Sequence, residues 1–459
     1  MPPPKPLVCK LIRMDESKPV RGRTRSLNPN AIAALLFLLS AVAAQAQISL
    51  STAVDLAEKN STAVRAAQAS VQRALGAVAE SRDAYVPNIL LGANPGYVYG
   101  YPLGYPSLFQ ANSQSLILSW SQRDYVRAAR AGVESAKLSL QNTQRQVAMD
   151  VSLAYVQLDY DLREIAALDE EKTYADTLVD IEQERVGAGV DAAVDSLQAQ
   201  LTAAQVDEKR IHLENDADNM RQKLSHFTGL PATGLTTVST SIPPPPSTLG
   251  SDAEQPSAAS DPSVAAAYAN AKSKLYQAWG DSRQNFRPLI GFGAQYALFE
   301  KFANYTLYYP NGLQYNNAAL GVTVTFPIFD ATRRARARES AADAAHALAD
   351  ADAARNTLDE QTLSLRGTLR ELAAQQRVAE LQSRLAQAQL QAIDTELANG
   401  TGAQAISPTQ AQKAHIEERE RYEDSLDANF ALLKVQLNLL RLTGQLDAWI
   451  RSSLNSASP

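Results

Sequence analysis

The sequence predicts a mainly α protein in which long antiparallel coiled-coil helices and four strands are arranged as two copies of one helix–strand–strand–helix unit. Three observations support this fold class. Short matching motifs recur in the same order at a spacing of roughly 200–213 residues. Each copy contains one very long run with apolar residues at helical spacing. Each copy also has a proline-bounded segment in which apolar and small residues alternate.

The repeat rests on the fixed order of several loose matches. It is far longer than the period of a solenoid repeat, so the chain is a duplication and not a repeat array. The matching segments are Ser61–Ala67 with Asp261–Ala267, Ser81–Pro87 with Ser282–Pro288, Leu116–Trp120 with Val322–Phe326, Arg127 with Arg333, Gly187–Gly189 with Gly400–Gly402, Gln198–Gln200 with Gln410–Gln412, and Thr228-Gly229 with Thr443-Gly444.

Residues 1–46 are predicted to be a secretory signal peptide. A basic stretch precedes the apolar run Ala31–Ala44, and Ala44-Gln45-Ala46 fits the small-x-small cleavage pattern. Met1 and Met14 are both possible starts. A membrane anchor is the alternative, but the run is shorter than the roughly 18–20 residues that span a bilayer. Cleavage would also remove Cys9, the single cysteine.

The charge balance argues against nucleic acid as a partner. Of the 43 basic and 49 acidic residues, seven basic and two acidic ones lie in residues 1–46, so cleavage moves the net charge from −6 to −11. Such a chain lacks the basic surface that phosphate backbones require.

Helices are predicted in pairs, one from each copy. The first pair, about 50–84 and 263–285, ends at a Tyr/Phe-x-Pro because proline disfavours helix in the residue before it. The second pair, about 123–186 and 331–399, has coiled-coil-like apolar spacing. Returning helices follow at about 191–228 and 408–450. We expect Asp191 to cap the first of these, and Ser407 with Pro408 to start the second.

Strands are predicted at about 87–121 and 288–329. In the second copy, Ile290, Phe292 and Tyr296 alternate with small or polar residues. In the first copy the alternation is weaker, with Leu116, Leu118 and Trp120 expected on one face. The domains are thus residues 47–230 and 263–450, joined by an extended Pro/Ser-rich connector at 231–262 with little core of its own. Residues 451–459 are predicted to be a flexible tail.

Four strands cannot close a barrel in a membrane, so strands that enter lipid must be shared between several chains. An ordinary hairpin packed on the helices is the alternative. Small and polar residues on one face suit a solvent-filled interior. The tyrosines near the strand ends are candidates for the membrane interface: Tyr97, Tyr99, Tyr101, Tyr305, Tyr308 and Tyr309.

No residue pattern supports catalysis, a cofactor or a metal site. His212, His226, His346 and His415 share no metal-ligand spacing and are predicted to lie on helix surfaces. Arg333, Arg334, Arg336 and Arg338 form a basic cluster after a strand. It is either a contact for anionic lipid headgroups or a solvated helix start.

Several of these segments resemble the TolC family of outer membrane efflux proteins. The resemblance covers about residues 48–450. It is carried by Ile48–Val54 at the start of the mature chain, by Phe326–Asp330 followed by an Arg/Ala-rich helix, and by Arg185–Asp191 followed by Leu197–Gln200.

The resemblance implies a homotrimer in the outer membrane. Each chain would contribute two hairpins to a shared twelve-stranded barrel, which continues into a helical periplasmic tunnel. The implied partners are a periplasmic adaptor, an inner-membrane transporter and outer-membrane lipid. The helical hairpin tips, 186–195 and 399–410, would meet the adaptor and form the aperture. Their residues are Val186, Gly187, Gly189, Val190, Asp191, Asp195, Gly400, Gly402, Ser407 and Gln410.

The function implied is passive conduction from a tripartite efflux pump or type I secretion system to the exterior, with no chemistry and no cofactor. An exported coiled-coil spacer or adhesin without a pore is the alternative. That alternative explains the helices and the export signal, but not two proline-bounded strand pairs at matched positions. Neither the substrate nor the pump class is identified by the sequence.

Overall fold

The computed structural model describes residues 46–96, 107–246, 261–299, 305–308, 310–312, 314–399 and 407–456. Contacts divide the chain after Ala46, and Gln47 begins the larger of the two units. The predicted signal peptide lies outside the described residues except for Ala46.

The described chain contains six strands and nine helices, besides a 3₁₀ turn at Ser239–Ser241. The strands are β1 (Ala46–Ile48), β2 (Asn88–Asn94), β3 (Ser107–Ser119), β4 (Leu235–Thr237), β5 (Leu289–Phe299) and β6 (Asn316–Thr325). The helices are α1 (Leu50–Asn60), α2 (Thr62–Asp83), α3 (Trp120–Gly187), α4 (Ala193–Thr228), α5 (Pro262–Arg283), α6 (Tyr305–Tyr308), α7 (Ala331–Asn399), α8 (Pro408–Thr443) and α9 (Leu446–Ser456). The predicted fold class, mainly α with two strand pairs in two repeats, is confirmed.

Polar side chains set the helix starts. Ser119 Oγ accepts the backbone N–H of Gln122 at 3.1 Å where α3 begins. Asp330 Oδ1 accepts the N–H of Arg333 at 3.1 Å where α7 begins. Asp261 Oδ1 accepts the N–H of Ser263 at 2.8 Å, and Pro262 follows as the first residue of α5. Each bond satisfies one of the donors that a helix N-terminus leaves free.

Two predicted helices are each divided. The helix expected at 50–84 breaks at Ser61, whose ψ of 131° is extended. The helix expected at 408–450 breaks at Gly444, which has φ 75° and separates α8 from α9. Gly229 ends α4 with φ 79°, so both repeats finish their returning helix with a left-handed glycine.

The long helices form two antiparallel hairpins, α3 with α4 and α7 with α8. Helix α3 has 68 residues and α7 has 69, so each is about 100 Å long at ~1.5 Å per residue. Helix α3 also packs against α5 and α8 of the second repeat. Among the described residues, no helix combines the length and apolar character needed to cross a bilayer.

Part of the predicted connector packs into the main hydrophobic cluster, through Leu235 and Ile242. Strand β4 pairs with β1, and Leu235 is completely buried. The hydroxyl of Tyr155 on α3 donates to the Ile48 carbonyl at 2.7 Å and accepts the Val238 N–H at 2.7 Å. Tyr155 thereby ties the start of the chain to the connector inside the main hydrophobic cluster.

The last helix extends into the predicted tail, residues 451–459. Helix α9 runs to Ser456, and its Trp449 and Ile450 are buried in the same cluster as Leu437 and Leu440 of α8. The indole N–H of Trp449 donates to the Pro244 carbonyl at 3.3 Å. The last helix therefore closes the core against the connector, and residues 457–459 lie outside the described residues.

The larger sheet has the order β2-β3-β5-β6 and is antiparallel throughout. The β3–β5 pairing joins the two repeats, with Leu118 opposite Ile290. Strands β2 and β6 are the two edges of the sheet. They are largely exposed, and every residue of β6 is exposed.

Candidate functional site

The four-stranded sheet has two chemically different faces. Cross-strand partners share a face, and successive residues alternate between faces. One face is mostly apolar: Ile89, Leu91, Phe109, Ala111, Leu118, Ile290, Phe292, Ala294, Tyr296, Leu298, Leu320, Val322 and Val324, with Ser113, Ser115 and Asn316 as its polar members. The opposite face is mostly small or polar: Asn88, Gly92, Gln110, Asn112, Gln114, Gly291, Gly293, Gln295, Thr323 and Thr325, with Leu90, Leu116 and Leu289 as its large apolar members.

An irregularity in β3 explains its weak sequence pattern. The register shifts between Leu116 and Leu118, so Leu116 pairs with Gly291 and Leu118 with Ile290. The expectation that Leu116 and Leu118 share a face is therefore wrong. A bulge adds one residue to a strand and reverses the alternation beyond it.

The tip of the first helical hairpin is a tight glycine-containing turn. Gly189 has φ 73°, a conformation that costs L side chains energy but is open to glycine. The Val190 N–H donates to the Arg185 carbonyl at 2.9 Å, and the Gly189 N–H donates to the Val186 carbonyl at 3.0 Å. These two bonds form a Schellman motif, which satisfies the last carbonyls of α3. Gly187 is still helical.

An ion pair closes this turn. The Arg185 guanidinium binds the Asp191 carboxylate through two nitrogens, with Nη2 donating to Oδ1 at 3.0 Å. The same contact lowers the pKa of Asp191 below its ordinary value. The prediction that Asp191 caps α4 is wrong, because Arg185 holds its carboxylate. Asp195, in the first turn of α4, accepts the Ala192 N–H at 3.1 Å instead.

Beside the turn, α4 carries an exposed apolar row. Val194, Leu197 and Leu201 of α4 are 50–70% exposed, and so is Val190 in the turn before it. The spacing of three and four residues puts the three helical members on one side of α4. An unpartnered row of this kind marks a contact surface.

The second tip is described only from Ser407 onward. Ser407 stands at the N-cap of α8, as predicted, with Pro408 as the first helical residue. Gln410 Oε1 accepts the Ser407 N–H at 3.2 Å, the counterpart of the Asp195–Ala192 bond in the first repeat. Gly400 and Gly402 lie outside the described residues.

A cavity of 360 Å³ lies near the first tip, between α3, α4 and α8. Asp195 lines it together with Glu182 and Lys413, which the sequence did not single out. Glu182 is buried, and its Oε2 has no hydrogen-bond donor. Glu182 is buried only because other helices pack against that side of α3. The local sequence around Glu182 therefore could not predict its place in the cavity.

Further from the tip, buried carboxyl groups line the contact between α3 and α8. Glu171 on α3 and Glu423 on α8 are buried, and Glu171 Oε2 and Glu423 Oε1 lack donors. Burial and then the contact with Glu423 raise the pKa of Glu171 to about 8. Lys209 on α4 contacts Glu423 directly and Glu164 at 3.7 Å. Burial also raises the pKa of Glu164 and of Glu420.

One histidine departs from the expected surface position. The ring of His415 stacks on Tyr174 with 4.4 Å between ring centroids, so it lies in the contact between α8 and α3. Among the described residues, no group of three or more His, Cys, Asp and Glu side chains could hold a metal ion.

Most of the tyrosines predicted at the membrane interface lie outside the described residues. Tyr97, Tyr99, Tyr101 and Tyr309 lie outside the described residues, and so do the side chains of Tyr305 and Tyr308. The backbone of the last two forms α6, between β5 and β6. Their role at a membrane interface stays a prediction.

The fold is that of outer-membrane channels. The chain is similar to the outer-membrane channel OprN in structure, with a TM-score of 0.70 and 17% identity over 87% of this chain and 90% of that one. It is similar to VceC of Vibrio cholerae with a TM-score of 0.67 and 15% identity, covering 86% and 96% of the two chains. For CmeC of Campylobacter jejuni the TM-score is 0.67 and the identity 13%, covering 86% of each chain. No curated protein matches the sequence significantly.

Residues 53–230 match the sequence profile of the outer membrane efflux protein family. The predicted resemblance to outer membrane efflux proteins is thereby confirmed over residues 53–230. The outer-membrane localisation predicted from it agrees with the outer-membrane channels that have a similar structure.

Proposed function

We propose that three copies of this chain form a gated outer-membrane exit duct, which receives substrate from an inner-membrane transporter through a periplasmic adaptor. The two-faced sheet is the observation that carries the proposal. Its apolar face suits lipid, and its small and polar face suits a water-filled lumen. Four strands with two free edges cannot stand alone in a bilayer, since lipid offers no hydrogen bonds to an edge.

The helices extend the duct into the periplasm. Hairpins of about 100 Å carry the tip far from the sheet, where an adaptor would meet it. The exposed row from Val190 to Leu201 offers that partner an apolar surface. The turn held by Arg185 and Asp191 fixes the position of this row. Efflux pumps and type I secretion systems would both use such a duct.

The duct performs no chemistry in this proposal and needs no cofactor, because transport energy comes from the inner-membrane transporter. An exported coiled-coil spacer or adhesin is the competing function. It would explain the long helices, but a sheet with one apolar exposed face would then have no lipid to contact. The two faces therefore favour the duct.

Native mass spectrometry of the detergent-extracted outer membrane tests the assembly. We expect a mass of three mature chains, with gel mobility that changes on heating. A soluble monomer in the periplasmic fraction would contradict the duct and favour the spacer.

Substitution of Asp195 tests the tip. Asp195→Arg replaces the acceptor of the Ala192 N–H and puts positive charge at the start of α4, which the helix dipole disfavours. We expect this variant to form trimers but to lose adaptor cross-linking and export. Asp195→Asn keeps an acceptor oxygen and serves as the control. Export by Asp195→Arg at the wild-type rate would remove the tip from the proposal.

A further inference from the structure

One side of α3 carries a row of arginines directly below the sheet. Arg123, Arg127 and Arg130, called here the arginine row, are spaced by four and three residues, so they share a side of the helix. All three are exposed. Helical side chains lean towards the N-terminus of their helix, and the N-terminus of α3 follows β3 directly. The three guanidinium groups therefore lean towards the sheet.

The arginine row lines a groove of 680 Å³ between the end of α2 and the start of α3. Arg82 and Asp83 of α2 also line it. Four guanidinium groups against one carboxylate leave these lining residues with a net charge of +3. The volume of the groove is within the range of small-ligand sites. Because a groove with one dominant sign of charge concentrates ions of the opposite sign, its ligand should be an anion.

Arg130 lacks the partner that its counterpart in the second repeat has. The counterpart is Arg336, whose Nε lies 3.7 Å from Oδ1 of Asp281. Glu80 takes the place of Asp281 in the first repeat, but Glu80 does not line the groove. Neither Glu80 nor Arg130 forms a salt bridge among the described residues. The duplication thus keeps the cation of this pair without its anion.

Arg123 is a cation that only the first repeat has, since Phe329 stands at the corresponding position. It forms no salt bridge within the described part of the chain, and its contact with the Tyr85 hydroxyl leaves its charge unneutralised. Arg127, by contrast, already binds Asp124 at 3.1 Å. The planar guanidinium group binds phosphate through two parallel hydrogen bonds. A phosphate group therefore suits the cations that the chain leaves without a carboxylate.

The arginine row lies on the outer side of a wall of helices. Helices α2, α3, α5 and α7 pack side by side in this order. Opposite the row, α3 carries Ala129, Gly132 and Ala136, which are only partly exposed. Side chains crowd on the concave side of a curved wall and spread on its convex side. The exposed arginines therefore mark the convex side, away from a lumen.

The row also begins at the height of the base of the sheet. The guanidinium carbon of Arg287 lies 6.0 Å from the ring centroid of Trp120 and 5.6 Å from that of Phe286, which is 59% exposed. Aromatic side chains of this kind favour the boundary between acyl chains and headgroups. Arg123 follows Trp120 by three residues, about 4.5 Å along the helix. A headgroup layer is roughly 5–8 Å thick, so Arg123 lies within it.

We propose that this groove binds the phosphate group of an anionic phospholipid in the inner leaflet of the outer membrane, with Arg123 and Arg130 as ligands. The inference rests on the proposed function, because the exit duct places the base of the sheet at that leaflet. Helix α3 lies between α2 and α5 of its own chain, so copies that join at α2 and α7 leave the groove open. Each copy of the trimer then holds one such lipid.

Lipid retention by the purified trimer tests the site. Native mass spectrometry of the mature chain in detergent, titrated with phosphatidylglycerol, measures binding to each copy. We expect Arg123→Gln with Arg130→Gln to weaken binding by at least roughly tenfold, the effect of losing one charge-assisted hydrogen bond. Arg65→Gln with Arg73→Gln removes two exposed charges of α2 outside the groove and is the matched control. The mass of the trimer in the same spectra shows that each variant is assembled.

Two further ligands separate the possible sources of the phosphate. Phosphatidylcholine carries a cation beside its phosphate and should bind more weakly than phosphatidylglycerol. Inorganic phosphate in large molar excess should leave bound phosphatidylglycerol in place. Displacement of phosphatidylglycerol by an equal concentration of inorganic phosphate would assign the groove to a free anion and overturn the lipid site.

The remaining outcomes separate the lipid site from the function. Loss of phosphatidylglycerol in the groove variant, with retention in the control variant, supports the proposal. Equal retention in the groove variant and the wild type overturns the lipid site but leaves the exit duct intact. A change in the ion selectivity of the trimer with no change in lipid retention would place the groove in the lumen and also overturn the lipid site. A wild-type chain that stays monomeric in detergent and in lipid overturns both the duct and the site.

Discussion

Glu171 and Glu423 meet across the contact between α3 and α8, and each has one carboxylate oxygen without a hydrogen-bond donor. The pKa of Glu171 is raised to about 8, first by burial and then by Glu423. The groups around it are Glu164 on α3, Lys209 on α4 and Glu420 on α8. A proton held by Glu171 therefore stabilises the contact between the two helical hairpins.

Stability should fall as the pH rises from about 4.5 to about 8. Over that range the folded state binds a proton at Glu171 that the unfolded state has released, so each added pH unit favours unfolding. Asp161, whose pKa burial raises to about 6, acts in the same direction. Thermal unfolding at pH 5 and pH 8 measures the effect.

Glu171→Gln should remove most of this pH dependence. The amide stays neutral, so at pH 8 the variant should gain about 1–3 kcal/mol, the usual cost of an unsatisfied buried polar group. At pH 5 it should match the wild type. Glu184→Gln, at an exposed position of the same helix, should change neither value. Equal pH dependence in Glu171→Gln and the wild type would refute the role of Glu171.

The two glycines of the first tip should respond oppositely to alanine. Gly189→Ala puts a Cβ on a residue with φ 73° and should destabilise the turn by roughly 1 kcal/mol. Gly187→Ala occupies a helical position with open space around it and should stabilise the turn by about 0.5–1 kcal/mol. Amide hydrogen exchange across residues 186–192 reports both changes. Faster exchange in both variants would mean that Gly187 also needs its conformational freedom.

Adjacent residues of β6 should differ sharply in their tolerance of charge. Leu320→Arg places a cation on the apolar face and should destabilise the membrane-inserted protein by about 2–4 kcal/mol. Gly321→Arg points to the other face, where a Cβ meets nothing within 4 Å, and should leave folding intact. Refolding into lipid vesicles compares the two. Equal destabilisation would show that both faces meet lipid or that neither does.

Tyr155→Phe should destabilise the junction between the start of the chain and the connector. The change removes the acceptor of the partly buried Val238 N–H and the donor to the buried Ile48 carbonyl. An orphaned buried group costs about 1–3 kcal/mol. Denaturant unfolding gives the value. A loss no greater than that of Tyr174→Phe, outside this cluster, would contradict the role of the hydroxyl.

Local patterns predicted the elements well where local chemistry decides them. Pro87, two residues after Tyr85, correctly predicted the end of a helix, and Ser407 correctly predicted the start of another. The alternation around Ile290 correctly predicted which residues share a face of the sheet. The sequence did not predict the contacts between residues that are far apart in the chain. The β3 irregularity appears only in the pairing with β5, and Leu235 is buried in a hydrophobic cluster formed by residues far from it in the chain, such as Tyr155.

The same difference between local features and long-range contacts applies to the candidate site. The glycines at the tip predicted the turn. The sequence could not show that Asp191 would bind Arg185 and would therefore not cap α4. Glu171 and Glu423 are more than 200 residues apart, and only the packing of α3 on α8 brings them together.

Single-channel recording of the purified mature chain in planar bilayers tests the exit duct most directly. We expect discrete conductance steps from the trimer, which become smaller in Gly321→Arg because the added side chain enters the lumen. Membrane-inserted trimers that conduct no ions under any applied voltage or pH, in the wild type and after substitution of the tip, would contradict the account.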